Sequence, residues 1–237
     1  MRYSDVMKEL HRLSNPVVAR KLEHFGIPTA NALGLSAPVM RALAKEIGTN
    51  QEISLKLWSS GTLEGRVLAT LVGDPEQVTR RQMEQWARQI DSWGVCDACC
   101  GVLFIRTPYA LEKAFAWSTS KREFTKRAGF VLMAAAAVHR KELKDEEFIP
   151  MLEAIQREAG DGRHFVKKAV NWALRQIGKR NRRLNSLAIK TARDILSRTE
   201  HVVRWIASDA LRELTSERVQ RKLRERSLRS RQNRRRR

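Results

Sequence analysis

Apolar residues recur along the chain at spacings of three and four, and no segment alternates apolar and polar positions at the period of two that a half-buried strand requires. Val39, Leu43, Ala44 and Ile47 form one stripe, and Leu152, Ile155 and Ala159 another. Between Asn185 and Leu196 the residues Leu187, Ala188, Thr191, Ala192 and Ile195 share a face. Start signals agree: Ser36-Ala37-Pro38 and Thr107-Pro108 each set a hydroxyl just before a proline, which a first helical turn tolerates. Gly34, Asp74-Pro75 and Gly160-Asp161-Gly162 interrupt the periodicity and mark breaks. Pro150 alone of the prolines falls away from such a start or break, and it shifts a helix boundary. The pattern predicts an all-α chain of about a dozen helices.

A faint internal repeat suggests the architecture. Ala173-Leu174-Arg175-Gln176-Ile177 recurs 37 residues later as Ala210-Leu211-Arg212-Glu213-Leu214. A basic residue and small apolar positions precede each copy, Lys168-Ala169 in the first and Arg204-Trp205-Ile206-Ala207 in the second. A looser relative begins at Arg127-Ala128, 41 residues before Lys168. A degenerate period of about 40 with two helices per unit points to a curved α-solenoid of HEAT-like antiparallel helix pairs with a concave binding face. The competing reading is an ordinary helical bundle with chance similarity.

Charge narrows the partner. The 237 residues hold 46 Lys and Arg against 26 Asp and Glu, a net charge of +20 and a pI near 10.8. That excess calls for a polyanion, either nucleic acid or an anionic membrane surface, and argues against a neutral small molecule as the sole partner. The longest uncharged apolar run, 128–138, has 11 residues. A bilayer span needs roughly 18–20. Met1-Arg2-Tyr3-Ser4-Asp5 opens a charged amphipathic stretch and not a secretion signal. Cys96, Cys99 and Cys100 crowd together as an odd-numbered cluster, which is no disulfide framework, so a cytoplasmic, reducing setting is expected.

The charge is also uneven. Residues 218–237 carry 11 basic side chains and one acid, Glu225, leaving 35 basic and 25 acidic residues in 1–217. The expected organisation is a single domain over 1–217 followed by an Arg-rich tail. From Ser227 to Arg237 only Leu228 is apolar, so this stretch is expected to be a disordered basic arm. It either solubilises the chain or adds salt-dependent phosphate contacts.

Three constellations carry candidate chemistry. In Asp91-Ser92-Trp93-Gly94-Val95-Cys96-Asp97, a cap at Ser92 would put Trp93 and Asp97 one turn apart on one helical face, with Gly101 leaving room four residues on. An indole attracts a cation and a carboxylate stabilises developing positive charge. The plainer reading is a core tryptophan and a capping aspartate. In the second, the stripe Val166, Ala169, Val170, Ala173 and Ile177 leaves Trp172 nearly opposite, on a face with Lys168, Arg175 and Lys179. Cations for phosphate beside an aromatic surface suit nucleic-acid binding, and Lys167, Arg180, Arg182 and Arg183 extend the field. A second helix layer covering Trp172 is the alternative. In the third, Lys126-Arg127 opens an otherwise apolar helix, as a solvated end or as a guanidinium presented to phosphate.

The Cys-x-x-Cys at Cys96 has no second pair and no histidine near it in sequence, so buried thiols are expected and not a closed zinc site. No Walker loop, dinucleotide-binding glycine turn or Ser/His/Asp signature is present.

Taken in order, these constellations resemble the AlkD family of DNA alkylation repair enzymes over roughly residues 15 to 217. The motifs are Phe25-Gly26-Ile27 followed by Gly34-Leu35-Ser36-Ala37-Pro38, then Trp93 with Asp97, then Lys126-Arg127-Ala128, then Lys168 to Arg175. The resemblance implies HEAT-like repeats forming a curved basic DNA-binding cleft, and a glycosylase that removes cationic N-alkylated purines such as 3-methyladenine and 7-methylguanine. It implies Asp97 as the catalytic residue, Trp93 and Trp172 as the substrate-contacting tryptophans and Arg127 as a DNA contact; Lys168, Arg175 and Lys179 are expected DNA contacts from their place on the Trp172 face of the helix. Alkylated double-stranded DNA is the partner it implies; a monomer is expected, and the chemistry of an already cationic base needs neither metal nor organic cofactor. Two positions depart from the family pattern: Gly94 stands where the first motif carries a further acid, and an N-terminal cleft tyrosine is replaced at or near Lys21. A non-catalytic HEAT-repeat scaffold that binds damaged or structured DNA is the second functional reading, and an RNA-binding module the third.

Overall fold

The protein is described by a computed structural model over residues 1–198 and 201–235, with side chains throughout except at 201 and 229–235. Among the described residues there are fourteen α-helices and no strand. The chain divides into two compact units, Met1–Ala110 and Leu111–Arg237, where the sequence is read above as one domain over 1–217 with a tail.

The first unit holds α1 (Tyr3–Arg12), α2 (Pro16–Lys21), α3 (Ala37–Ile47), α4 (Gln51–Ser59), α5 (Leu63–Val72), α6 (Arg80–Gln89) and α7 (Trp93–Ala98). Helix α5 is its centre, packed against α1, α3, α4 and α7. Of the expected α3 stripe only Leu43 is buried, together with Met40, while Val39, Ala44 and Ile47 are half-covered. Trp58 and Trp86 stack with centroids 4.0 Å apart and planes 3° from parallel. Several polar groups at helix edges find a partner one helix pair away. Trp58 Nε1 donates to Gln89, Gln51 donates to Gln82, and Leu33 N donates to Glu64, each across 31 residues. That shorter recurrence is not visible in the apolar pattern.

The second unit holds α8 (Ala110–Ser118), α9 (Glu123–His139), α10 (Ile149–Glu158), α11 (His164–Gly178), α12 (Arg182–Leu196), α13 (His201–Leu214) and α14 (Glu217–Arg235). It is built as two layers. Helix α11 lies between α9 and α13, while α12 lies between α10 and α14. The predicted stripe on α11 is the core of this unit: Val166, Ala169, Val170, Ala173 and Ile177 are all fully buried. Gly129 lets α9 and α8 approach closely; a Cβ there would sit 2.6 Å from the Ser118 backbone nitrogen. Bonds between successive repeats fall at 35–43 residues, as in Asn171 to Ile206 O, Arg163 to Lys121 O and Arg180 to Ala137 O. The family-like fold class read from the sequence, all-α helix pairs in repeats near 40, is what these layers contain.

The C-terminal helix differs from the sequence reading. Residues 227–235 continue α14, although a disordered arm is expected there; Arg236 and Arg237 lie outside the described residues. Val219 and Leu223 are buried against the layer beneath, which nucleates the helix. Arg, Glu, Leu and Gln then propagate it, because all are good helix formers.

The loop after α10 is held by charge. Lys126, 9% exposed in its side chain, sits 2.6 Å from Glu158 and 2.8 Å from Asp161. Arg163 grips Asp161 at 2.6 and 2.9 Å. Arg163 above all, with Lys126, holds the Asp161 carboxyl well below the usual carboxylate range, against the opposing pull of burial. A depressed carboxylate contributes stability that is present above its unfolded pKa of about 3.9 and is lost as pH falls through the folded value. Asp161→Asn should therefore lower stability by about 1–3 kcal/mol at neutral pH. In urea denaturation the gap between wild type and variant should stay constant above about pH 5 and narrow below about pH 4.

Candidate functional site

The predicted site residues fall into two groups, one in each unit. In the first, Ser92 adopts extended backbone and its hydroxyl accepts from Val95 N at 3.4 Å, capping α7. Trp93 and Asp97 then stand one turn apart on that helix, both half-buried. The indole is fixed by a bond the sequence reading misses: Trp93 Nε1 donates to the Phe25 carbonyl at 2.8 Å. Phe25 ends a 3₁₀ turn over Leu22–Phe25, and Gly26 closes it at φ 69°, a left-handed conformation that glycine adopts freely. Ile27 lies 3.5 Å from where a Cβ on Gly94 would be. The Phe25-Gly26-Ile27 motif is thus the seat of Trp93, and the Phe25 ring itself is 64% exposed.

Beyond Ala98 the backbone widens into a π-helical turn over Cys99–Leu103. Such turns concentrate at functional sites because they re-aim side chains within a helix. Gly101 lies in this turn with open space around its missing Cβ. Cys96, Cys99 and Cys100 point the other way and are fully buried. Burial pushes the Cys99 and Cys100 thiols up, and the Asp97 charge adds to this at Cys100. Protonated thiols without access are packing groups. Among the described residues no three of His, Cys, Asp and Glu gather as metal ligands.

The Gly34-Leu35 motif has a similar supporting role. Glu64, 3% exposed on α5, accepts from the backbone N–H groups of Leu33, Gly34 and Leu35 at 2.7, 2.7 and 3.2 Å. Three donors on one buried carboxylate clamp the loop that leads into α3. Gly34 has φ 80°, and a Cβ there would fall 2.2 Å from Asn15 O.

In the second unit Trp172 is half-buried, on the face of α11 away from its buried stripe, and its indole makes no hydrogen bond to another described residue. Lys168, one turn before it, is exposed with no carboxylate within ion-pair distance among the described residues. The other three predicted DNA contacts are engaged inside the protein. Arg127 is 6% exposed and donates to Phe165 O at 2.8 Å. It is neither a solvated helix end nor a guanidinium held out to phosphate, and Lys126 beside it is buried between two carboxylates. Arg175 and Lys179 share Glu213 at 2.7 and 2.9 Å, and Arg175 also lies 3.7 Å from Asp209. Arg180 and Arg183, read as part of the positive field, bind main-chain carbonyls and Glu146 respectively. Glu213 follows Arg212 as Gln176 follows Arg175, so the repeat register carries the signal for this pairing. The same register places Trp205 at the position of Lys168. Trp205 is 44% exposed, with Lys167 Nζ 5.6 Å from its ring centroid.

Comparison with known proteins bears on this arrangement. A family model described as DNA alkylation repair enzyme matches residues 6–214. No curated protein matches the chain. One of the solved structures similar to this chain has a TM-score of 0.74 and 20% identity, covering 90% of this chain and 95% of the other. It is described as belonging to a new family of proteins related to the HEAT-like repeat DNA glycosylases with affinity for branched DNA structures. At that identity the likeness shows the fold, HEAT-like helical repeats.

The clamp around Gly34 gives a direct test of how the first group is supported. Gly34→Ala should cost roughly 2–4 kcal/mol, because it forces a positive φ on a side chain and drives a methyl into backbone. Chemical denaturation followed by tryptophan fluorescence measures this; an unchanged midpoint would mean that the loop is not held as described.

Proposed function

The chain belongs to the family of DNA alkylation repair enzymes, and we propose that it is a DNA glycosylase that hydrolyses the N-glycosidic bond of cationic N-alkylated purines such as 3-methyladenine and 7-methylguanine. The observation that carries this reading is the surface of α7. A tethered indole and a carboxylate stand one turn apart, and the π-helical turn that follows them has open space at Gly101.

The chemistry asks for little more. A purine alkylated at N3 or N7 is already cationic, so its glycosidic bond is weak and the base leaves neutral. No general acid is needed, unlike glycoside hydrolysis with its pair of carboxylates. What remains is to stabilise an oxocarbenium-like sugar and to orient water, and Asp97 does both by charge and hydrogen bonding. Trp93 presents an aromatic face to the positive charge, a contact worth about 0.5–2 kcal/mol. Its N–H is already satisfied by Phe25 O, so the ring is held in place before substrate arrives. In the second unit Trp172 offers an aromatic surface of its own to a base or sugar, and Lys168 is the cation that meets phosphate. Arg127, Arg175 and Lys179 act from behind, by fixing the helices that carry these residues.

A second reading, a non-catalytic protein that binds damaged or structured DNA, is favoured by Gly94, where the family motif carries a further acid. The affinity for branched DNA ascribed to the structural relative points the same way. Base release from methylated duplex DNA separates the two. Wild type should liberate 3-methyladenine or 7-methylguanine, and Asp97→Asn should lose at least 10²-fold in rate while binding DNA with unchanged affinity. Absence of release from DNA that the protein binds would favour the second reading.

A further inference from the structure

We propose that a groove bounded by the last turn of α11, the end of α9 and α14 is a second phosphodiester-binding site, taking up backbone of the bound DNA beyond the surface that carries Trp172. The inference rests on the DNA-binding part of the proposed function and not on its catalytic part.

The groove encloses about 770 Å³. Six cations and one acid, Glu213, line it. They sort into three kinds. Lys179 and Arg218 lie 2.9 and 3.6 Å from Glu213, so the one acid is outweighed by its own neighbours. Arg180 and Arg226 are structural, but they stay positive. Arg180 donates to the carbonyls of Ala137, Arg140, Lys141 and Leu143 and stacks on Phe148 at 4.7 Å, closing the end of α9. Arg226 donates to Lys179 O at 2.9 Å and ties α14 to the end of α11. Carbonyl oxygens satisfy N–H donors without cancelling a unit charge. Lys141 and Lys222 are exposed with no carboxylate within ion-pair distance among the described residues. The groove thus holds net positive charge with two ammonium groups uncommitted.

Its position argues for a nucleic-acid strand. Gln176 and Lys179, which α11 contributes to the groove, continue the face that bears Lys168 and Trp172. From Lys168 to Lys179 the helix rises about 16 Å, the axial rise of about five base pairs of duplex. A strand that meets Trp172 and runs along α11 therefore reaches the groove within a few nucleotides. Beyond it α14 adds Arg221 and Arg224, both exposed.

The test compares two double variants of the full chain on unmodified duplex DNA over about 50–200 mM salt. Lys141→Gln with Lys222→Gln removes the uncommitted groove charges. Lys190→Gln with Arg193→Gln removes two exposed charges from α12, outside the groove. The groove pair should lower the slope of log K against log salt by about 1–2. It should weaken binding about tenfold near 0.1 M, while the α12 pair leaves both close to wild type. Equal effects of the two pairs would reduce the groove to bulk charge and overturn the inference, as would no effect of the groove pair. Because no damaged base is used, failure to release purines would bear on the catalytic reading and leave this result standing.

Discussion

The structure depends on cations that bind across repeats. Helix pairs of this size bury apolar stripes only by stacking on the next pair, and the ends of each pair leave carbonyls and carboxylates to be satisfied. Here Lys126 bridges Glu158 and Asp161, Arg127 reaches Phe165 O, and Arg180 gathers the carbonyls at the end of α9. These groups set the separation of successive helices and thereby the place of Trp172 and Lys168 on α11. In the first unit the same task falls to Glu64 and Phe25 O, which hold a loop and an indole. Positive charge in this chain has two employments, joining repeats and facing solvent, and only the second is open to a polyanion.

That division explains where composition misleads. A net charge of +20 marks a polyanion-binding protein, yet four of the most suggestive cations, Arg127, Arg175, Lys179 and Arg180, are bound within the fold. The exposed and uncommitted ones are less conspicuous in sequence: Lys168, Lys141 and Lys222. The arginine-rich end is seated at its start, where Val219, Leu223 and Arg226 hold α14 on the second unit.

Local features could be read from the sequence and non-local ones could not. The α11 stripe of Val166, Ala169, Val170, Ala173 and Ile177 follows from helical period alone, and all five are buried. The cap at Ser92, and with it the shared turn of Trp93 and Asp97, follows from the preference of hydroxyls for helix starts. The three cysteines follow from their spacing on one apolar side. By contrast, the partner of Trp93 lies 68 residues away and is a backbone carbonyl, which no residue type announces. The three amides on Glu64 are equally silent. The Glu213 pairing was encoded, in the 37-residue register, but only once that register is treated as spatial adjacency. The helical course of residues 227–235 is hidden because a charge run buries no core, while the helix propensity of arginine leaves no periodic pattern.

The central claim is that Asp97 and Trp93 stabilise positive charge on a sugar. Affinity for a duplex bearing a cationic ring-nitrogen analogue of one deoxyribose, against its neutral abasic counterpart, tests it most directly, because transition-state mimics are bound in proportion to the stabilisation they report. The account predicts that wild type prefers the cationic duplex by 10²-fold or more, and that Asp97→Asn abolishes the preference without weakening the neutral complex. Equal preference in wild type and variant would contradict it.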